Sequence, residues 1–246
     1  MIKSLDSSQN QSFTTKFLRD LYLGSASGMS AVVFIKPQIY FKNLAQTSTQ
    51  LTMNPFVWFR GTGVFTASFV PIIATQNIAN SFFLSTFHPL LAASAAGATS
   101  AIISCPSEGV LIQQEKTGKN ILQTISYMHT ERGFRAFQRG LVSTMARDSI
   151  FAGAYLGAVP IAREELKNRG FSKAKAQLCA GIGSGIIAAI ISQPFDTYKT
   201  QIQSNLSRKV SILGIFQRGA YLGLPARISM VATATTIIPI VKEKLA

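Results

Sequence analysis

Apolar residues run along this chain in blocks longer than the stripes of an ordinary amphipathic helix. Between Arg60 and Glu108 there is no Asp, Glu, Lys or Arg, and this interval holds two crossings at about 20 apolar residues each. A turn is predicted at His88-Pro89, where a proline starts a new helix. Further low-charge runs over 17–42, 141–162, 175–198 and 220–241 bring the predicted spans to six. The expected fold class is therefore an all-α membrane protein of six transmembrane helices. A soluble helical bundle is disfavoured, because too little charged sequence remains to coat it. Residues 1–16, MIKSLDSSQNQSFTTK, form a polar arm without the apolar core of a secretory signal or the arginines of an amphipathic presequence.

The spans repeat. When Pro37, Pro106 and Pro194 are aligned, a glycine stands nine residues before each (Gly28, Gly97, Gly185), and Gly24, Ala93 or Gly181 stands thirteen before. Small residues four apart let membrane helices approach closely. Each proline is followed by a polar segment and then Arg60-Gly61, Arg139-Gly140 or Arg218-Gly219, the last two within an identical Phe-Gln-Arg-Gly. The ends of the even spans repeat as well, as Val159-Pro160-Ile161-Ala162-Arg163-Glu164 and Ile238-Pro239-Ile240-Val241-Lys242-Glu243. Three helix-pair repeats are expected around a pseudo-threefold axis, at 17–87, 88–170 and 171–246, in one membrane domain with a central cavity.

Proline-x-acid-x-x-base at the end of the odd spans, Glu-x-Gly after it, and aromatic-basic-Gly before the even spans resemble the mitochondrial carrier family. Pro194-Phe195-Asp196-Thr197-Tyr198-Lys199 carries the whole first motif. The second repeat keeps Pro106, Glu108, Glu131-Arg132-Gly133 and Arg139-Gly140, and the first keeps Pro37, Lys42 and Phe59-Arg60-Gly61. The resemblance covers essentially the whole chain and marks it as a divergent, shortened member. The amphipathic helix after the odd span is expected to be truncated in repeats one and three.

The resemblance implies a matrix-side gate in which each repeat's acid meets the next repeat's base, beside helices kinked by Pro37, Pro106 and Pro194. Carried over, Glu108 pairs with Lys199 and Asp196 with Lys42. The third pair is Ile39 with Leu111, an apolar contact where the family has an ionic one. That exchange is physically allowed, since desolvation cancels much of a buried pair's attraction. Gln46 and Gln203 stand nine residues after their prolines, as braces or as solvent-facing side chains. At the opposite gate the acid positions hold Ser81, Pro160 and Pro239. Either Glu164 and Glu243 substitute from one residue away, or that gate is weak.

Charges inside a span cost about 2.5–3.5 kcal/mol each on insertion scales, which makes Arg147, Asp148 and Arg227 candidates for substrate contact. Arg147 follows Gly140 by seven residues and Arg227 follows Gly219 by eight, so both are expected at one level near mid-membrane, with Ser68 as the counterpart in the second span. An arginine offers a planar fork to a carboxylate or phosphate, and Asp148 offers an acceptor to an amine. The alternative is that these charges neutralise other residues of the bundle. Phe151 and Tyr155 follow Arg147 on one helix face and are expected to line the cavity. Gly61, Gly140 and Gly219, before the even helices, are either helix-start punctuation or, as the resemblance implies, sites for cardiolipin phosphates.

Composition narrows the function. Charged residues make up 14% of the chain, with a net charge of +14. A soluble protein so basic points to nucleic acid, but the mean hydropathy of +0.26 makes a membrane the better partner. Cys105 and Cys179 lack metal or redox spacing, no metal site or cofactor is expected, and no catalytic triad or phosphate-binding glycine loop occurs. The chain is read as a monomeric transporter of a small anionic or zwitterionic metabolite across the inner mitochondrial membrane, working by alternating access on a small-molecule solute amid membrane lipid. Nucleotide transport is the second reading, and a non-transporting membrane scaffold is a third of another class.

Overall fold

The computed structural model describes residues 32–47, 52–207 and 219–245, together with helical positions 18, 22, 26 and 30. The polar arm 1–16, Gly24 and Gly28, and the Phe-Gln-Arg of the third repeat lie outside them, as do the side chains of Lys242 and Glu243. Among the described residues every regular element is helical. These are α1 (32–47), α2 (Pro55–Trp58), α3 (Thr62–Phe83), α4 (Pro89–Thr117), α5 (Ile121–Arg132), α6 (Leu141–Ala152), α7 (Val159–Asn168), α8 (Lys173–Ser204) and α9 (Leu224–Leu245). Pro55–Phe83, Pro89–Thr117 and Lys173–Ser204 are each long and apolar enough to cross a membrane.

Local chemistry sets the boundaries. His88 caps α4 by accepting from the Leu90 amide, with Pro89 in the first turn, and Gly118 ends the helix in the left-handed region at φ 71°. Asn120 and Gln123 form a reciprocal capping box on α5. Among the described residues, the four-residue α2 stands in the first repeat where the second has the twelve-residue α5; the corresponding part of the third lies outside them. Between α6 and α7 the chain widens into a π-helix over Gly153–Ala158. Pro160 follows two residues after Ala158; its ring crowds the carbonyl four residues earlier, and a wider turn makes room for it.

Polarity is arranged as lipid demands rather than as water does. Ile102, Ile187 and Ile191 face outward, whereas Lys36, Gln113, Gln193, Lys199 and Gln203 are fully buried. Buried apolar residues form only small clusters, one of Ile35, Ile39, Leu111 and Ile112 with Phe65 and Met230 packed against it. Small residues bring α4 and α6 together, since a Cβ on Gly97 would fall 2.2 Å from the Asp148 carbonyl oxygen. Gly153 and Gly157 continue that contact against Ser94 and Leu90.

Candidate functional site

The odd helices α1, α4 and α8 meet through the residues that follow their prolines. Lys199 Nζ lies 2.5 Å from Glu108 Oε2, and Lys42 Nζ lies 2.8 Å from Asp196 Oδ2. Ile39 and Leu111 share one buried apolar cluster. Gln46 donates to Asp196 Oδ2 at 2.9 Å, and Gln203 donates to the Cys105 carbonyl at 3.0 Å. Both glutamines are buried and cross to a neighbouring helix, so neither is a solvent-facing side chain.

The even helices join the same cluster. Arg147 Nη1 lies 2.9 Å from Glu108 Oε1 and 3.2 Å from Asp196 Oδ1, while Nε and Nη2 hold Asp148 Oδ1 at 2.8 and 2.5 Å. Arg227 Nη1 lies 3.3 Å from Asp196 Oδ2, and its Nη2 donates to Ser192 Oγ at 2.6 Å. The expected arginine floor and the expected gate are therefore one connected network in this conformation. Glu108, with 29% of its side chain exposed, is the open edge of the network, and Asp196, at 1%, is its centre.

Several expectations are corrected. Asp148 is not an open acceptor for an amine: it holds Arg147 in a fork and takes a 2.6 Å hydrogen bond from Ser104. Ser68 does not join the constellation, because its hydroxyl donates to the Phe65 carbonyl one turn back. Phe151 and Tyr155 are 37% and 54% exposed beside a buried Arg147, and Tyr155 falls in the π-helix, so the regular i+4 and i+8 face does not extend to it.

The third repeat is displaced. Gly219 does not start α9; it lies in the preceding turn, and Gly223, at φ 77°, is the residue before Leu224. The first helical hydrogen bonds make the match: Phe65 to Gly61 at 3.0 Å, Thr144 to Gly140 at 2.8 Å and Arg227 to Gly223 at 3.0 Å. Arg227 is thus four residues into its helix and Arg147 seven, about 4.5 Å apart in depth at 1.5 Å per residue. The spacing is counted from Gly223 rather than Gly219, and both guanidinium groups reach the same Asp196 carboxylate.

These three glycines have a common partner. A Cβ on Gly61 would fall 3.0 Å from Leu111 Cγ, one on Gly140 3.3 Å from Lys199 Cγ, and one on Gly223 2.9 Å from the Lys42 carbonyl oxygen. Each even helix begins directly against the base position of the next odd helix. The arginine before Gly140 is also occupied: Arg139 donates to the Ile202 and Asn205 carbonyls, closing the C-terminal end of α8.

At the far end of the even helices, Glu164 binds Arg163 and Lys167 of its own helix at 3.3 and 2.9 Å. The Lys167 hydrogen bond holds this exposed carboxyl below its usual range. Among the described residues, Glu164 makes no tie across the bundle.

The spacing of charges missed one pair. Lys36 Nζ contacts Glu115 Oε1, and Asn43 Nδ2 donates to Glu115 Oε2 at 2.7 Å. The available signal was positional: Glu115 stands nine residues after Pro106, as Gln46 and Gln203 do after Pro37 and Pro194.

An all-helical membrane bundle whose helix pairs converge on one buried ionic cluster is the architecture that fold and site define. The model for the family described as Mitochondrial carrier protein matches residues 83–170. The chain is 27% identical to Mitochondrial substrate carrier family protein N of Dictyostelium discoideum, over 87% of this chain and 78% of that protein. It is 24% identical to the Mitochondrial 2-oxoglutarate/malate carrier protein of Mus musculus, over 77% of this chain and 56% of that one. It is 30% identical to Mitochondrial citrate transporter B of Aspergillus niger, over 49% and 44%. The chain is thus similar to mitochondrial carriers, at modest identity over most of its length and by the family model over its middle third. Against the 2-oxoglutarate/malate and citrate carriers it spans about half of their length.

Proposed function

We propose that this chain carries a small carboxylate-bearing metabolite across the inner mitochondrial membrane by alternating access. The observation that supports this is the charge of the central network. Lys42, Arg147, Lys199 and Arg227 face Glu108, Asp148 and Asp196, leaving one positive charge in excess in a region where an uncompensated charge is costly. One carboxylate group neutralises that excess, a net-neutral zwitterion does not, and a second carboxylate has the same arginines to compete for. The amino-acid reading loses its support because Asp148 is already held by Arg147 and Ser104. Relatives named for 2-oxoglutarate, malate and citrate agree with the carboxylate reading.

The same geometry suggests how binding acts on the gate. An anion that engages Arg147 competes with Glu108 and Asp196 for one nitrogen, Nη1. Charge-assisted hydrogen bonds contribute about 1.5–3 kcal/mol each, so drawing Arg147 toward a substrate weakens two carboxylate contacts of the ring and favours its opening. The substrate thereby acts on the odd-helix ring through Arg147.

Uptake of malate, 2-oxoglutarate, citrate, aspartate, lysine and ATP by proteoliposomes tests the proposal. The dicarboxylates are expected to enter and lysine to be refused. Uptake of ATP alone would replace the carboxylate reading with the nucleotide one. A correctly folded protein that moves none of the six is the result expected of a scaffold.

A further inference from the structure

The contact between α1 and α4 differs from the other two between odd helices. Its gate positions hold Ile39 and Leu111, so no ion pair forms where Lys199–Glu108 and Lys42–Asp196 form elsewhere. The one ion pair joining α1 and α4 among the described residues is Lys36–Glu115. Lys36 stands three residues before Ile39 and Glu115 four after Leu111, about one helical turn in each direction. The lysine therefore reaches past the apolar contact to its partner. Lys36 is 0% exposed, and Asn43 holds the second oxygen of Glu115.

The place of Glu115 in the repeat gives the pair a meaning. Residues nine after the prolines all cross to a neighbouring odd helix: Gln46 to Asp196 and Thr197, Gln203 to the Cys105 carbonyl, and Glu115 to Lys36 and Asn43. Lys36 and Cys105 are equivalent, each one residue before its proline. In the second repeat the crossing residue carries a charge, and in the first repeat its counterpart carries the opposite one.

We propose that Lys36 and Glu115 form the latch of this junction: a displaced ion pair that is closed while the ring is shut, parts when α1 and α4 separate, and replaces the gate pair lost at Ile39 and Leu111. The inference rests on reading the cluster as a gate. Apolar contact is non-directional and closes the junction without fixing its register, whereas a buried ion pair sets one geometry and leaves two uncompensated charges when stretched. The latch makes no contact with Arg147, so it resists opening by an amount that an anion bound to Arg147 does not change.

The test follows the junction itself and needs no substrate. Spin labels are placed at the exposed Ala45 and Lys119, as Ala45→Cys and Lys119→Cys in a Cys179→Ser background, and their separation is measured in lipid nanodiscs. Lys36→Met and Glu115→Gln are each expected to raise the ratio of long to short separations about tenfold or more. The swap Lys36→Glu with Glu115→Lys is expected to return it toward the parent. Because a single change strands a buried charge and risks unfolding, Lys36→Gln with Glu115→Gln removes both charges together and is expected to shift the ratio the same way with helicity retained. An unchanged distance distribution in the folded double-glutamine variant overturns the latch, as does a swap that leaves the junction open. Failure of malate uptake, by contrast, bears on the substrate and leaves this measurement intact.

Discussion

Nη1 of Arg147 lies 3.2 Å from Oδ1 of Asp196, tying the middle of an even helix to the acid at the centre of the odd-helix ring. One side chain thus belongs to the binding level and to the gate. Arg147→Ala is expected to abolish carboxylate uptake and to destabilise the protein by about 3–5 kcal/mol, the range for breaking a buried ion pair by removing one partner. Arg147→Lys keeps the charge but not the fork, and is expected to retain the fold while raising KM. Thermal unfolding in detergent and uptake kinetics check both; an unchanged melting temperature in Arg147→Ala contradicts the network.

Charge reversals should not be equally repairable. Glu108→Lys with Lys199→Glu re-forms one pair but sets a lysine against Arg147, which also contacts Glu108. Rescue is expected to be partial. The Lys36–Glu115 pair has no third charged partner among the described contacts, so its reversal is expected to recover more of the loss. The comparison is made by double-mutant cycles on melting temperature, and equal rescue in both cycles contradicts the sharing of Glu108.

Asp148→Asn distinguishes an orienting role from an amine-binding one. With Asp148 committed to Arg147 and Ser104, the substitution is expected to lower the uptake of every accepted carboxylate together, by about tenfold if about 1.4 kcal/mol of positioning is lost. A selective loss of aspartate, with malate spared, restores the amine-binding reading.

The glycines before the even helices give a backbone test. Gly223→Ala meets both a left-handed φ of 77° and the Lys42 carbonyl oxygen at 2.9 Å. Gly170, at φ 87° with nothing within 4 Å of its added Cβ, carries the conformational penalty alone, about 1–2 kcal/mol. Gly223→Ala is expected to cost more than Gly170→Ala, with Gly140→Ala between them. Melting temperatures in that order support the close packing, and equal values refute it.

What was legible in the sequence is what repeats with fixed offsets on a regular helix. The prolines, the acids two residues later and the bases five later carried the pairs Glu108–Lys199 and Asp196–Lys42, and the shared position of Ile39 and Leu111, because helix geometry makes a constant spacing a constant direction. Reading failed where a loop intervened. The helix starts four residues beyond Gly219, after Gly223, and spacing from Arg218-Gly219 could not register that shift. It failed again at Lys36 and Glu115, which belong together only once two helices from different repeats lie side by side. The engagement of Asp148 was equally hidden, since Ser104 reaches it from another helix.

The glycines that lie beneath Leu111, Lys199 and Lys42 close a circuit: the first helix pair rests on the second, the second on the third, and the third on the first. Such a circuit has no free end at which parting can begin. A base residue that moves must carry the start of the even helix before it, and that helix pulls on the next junction in turn. A strain placed on any one of the three junctions is therefore shared by the other two.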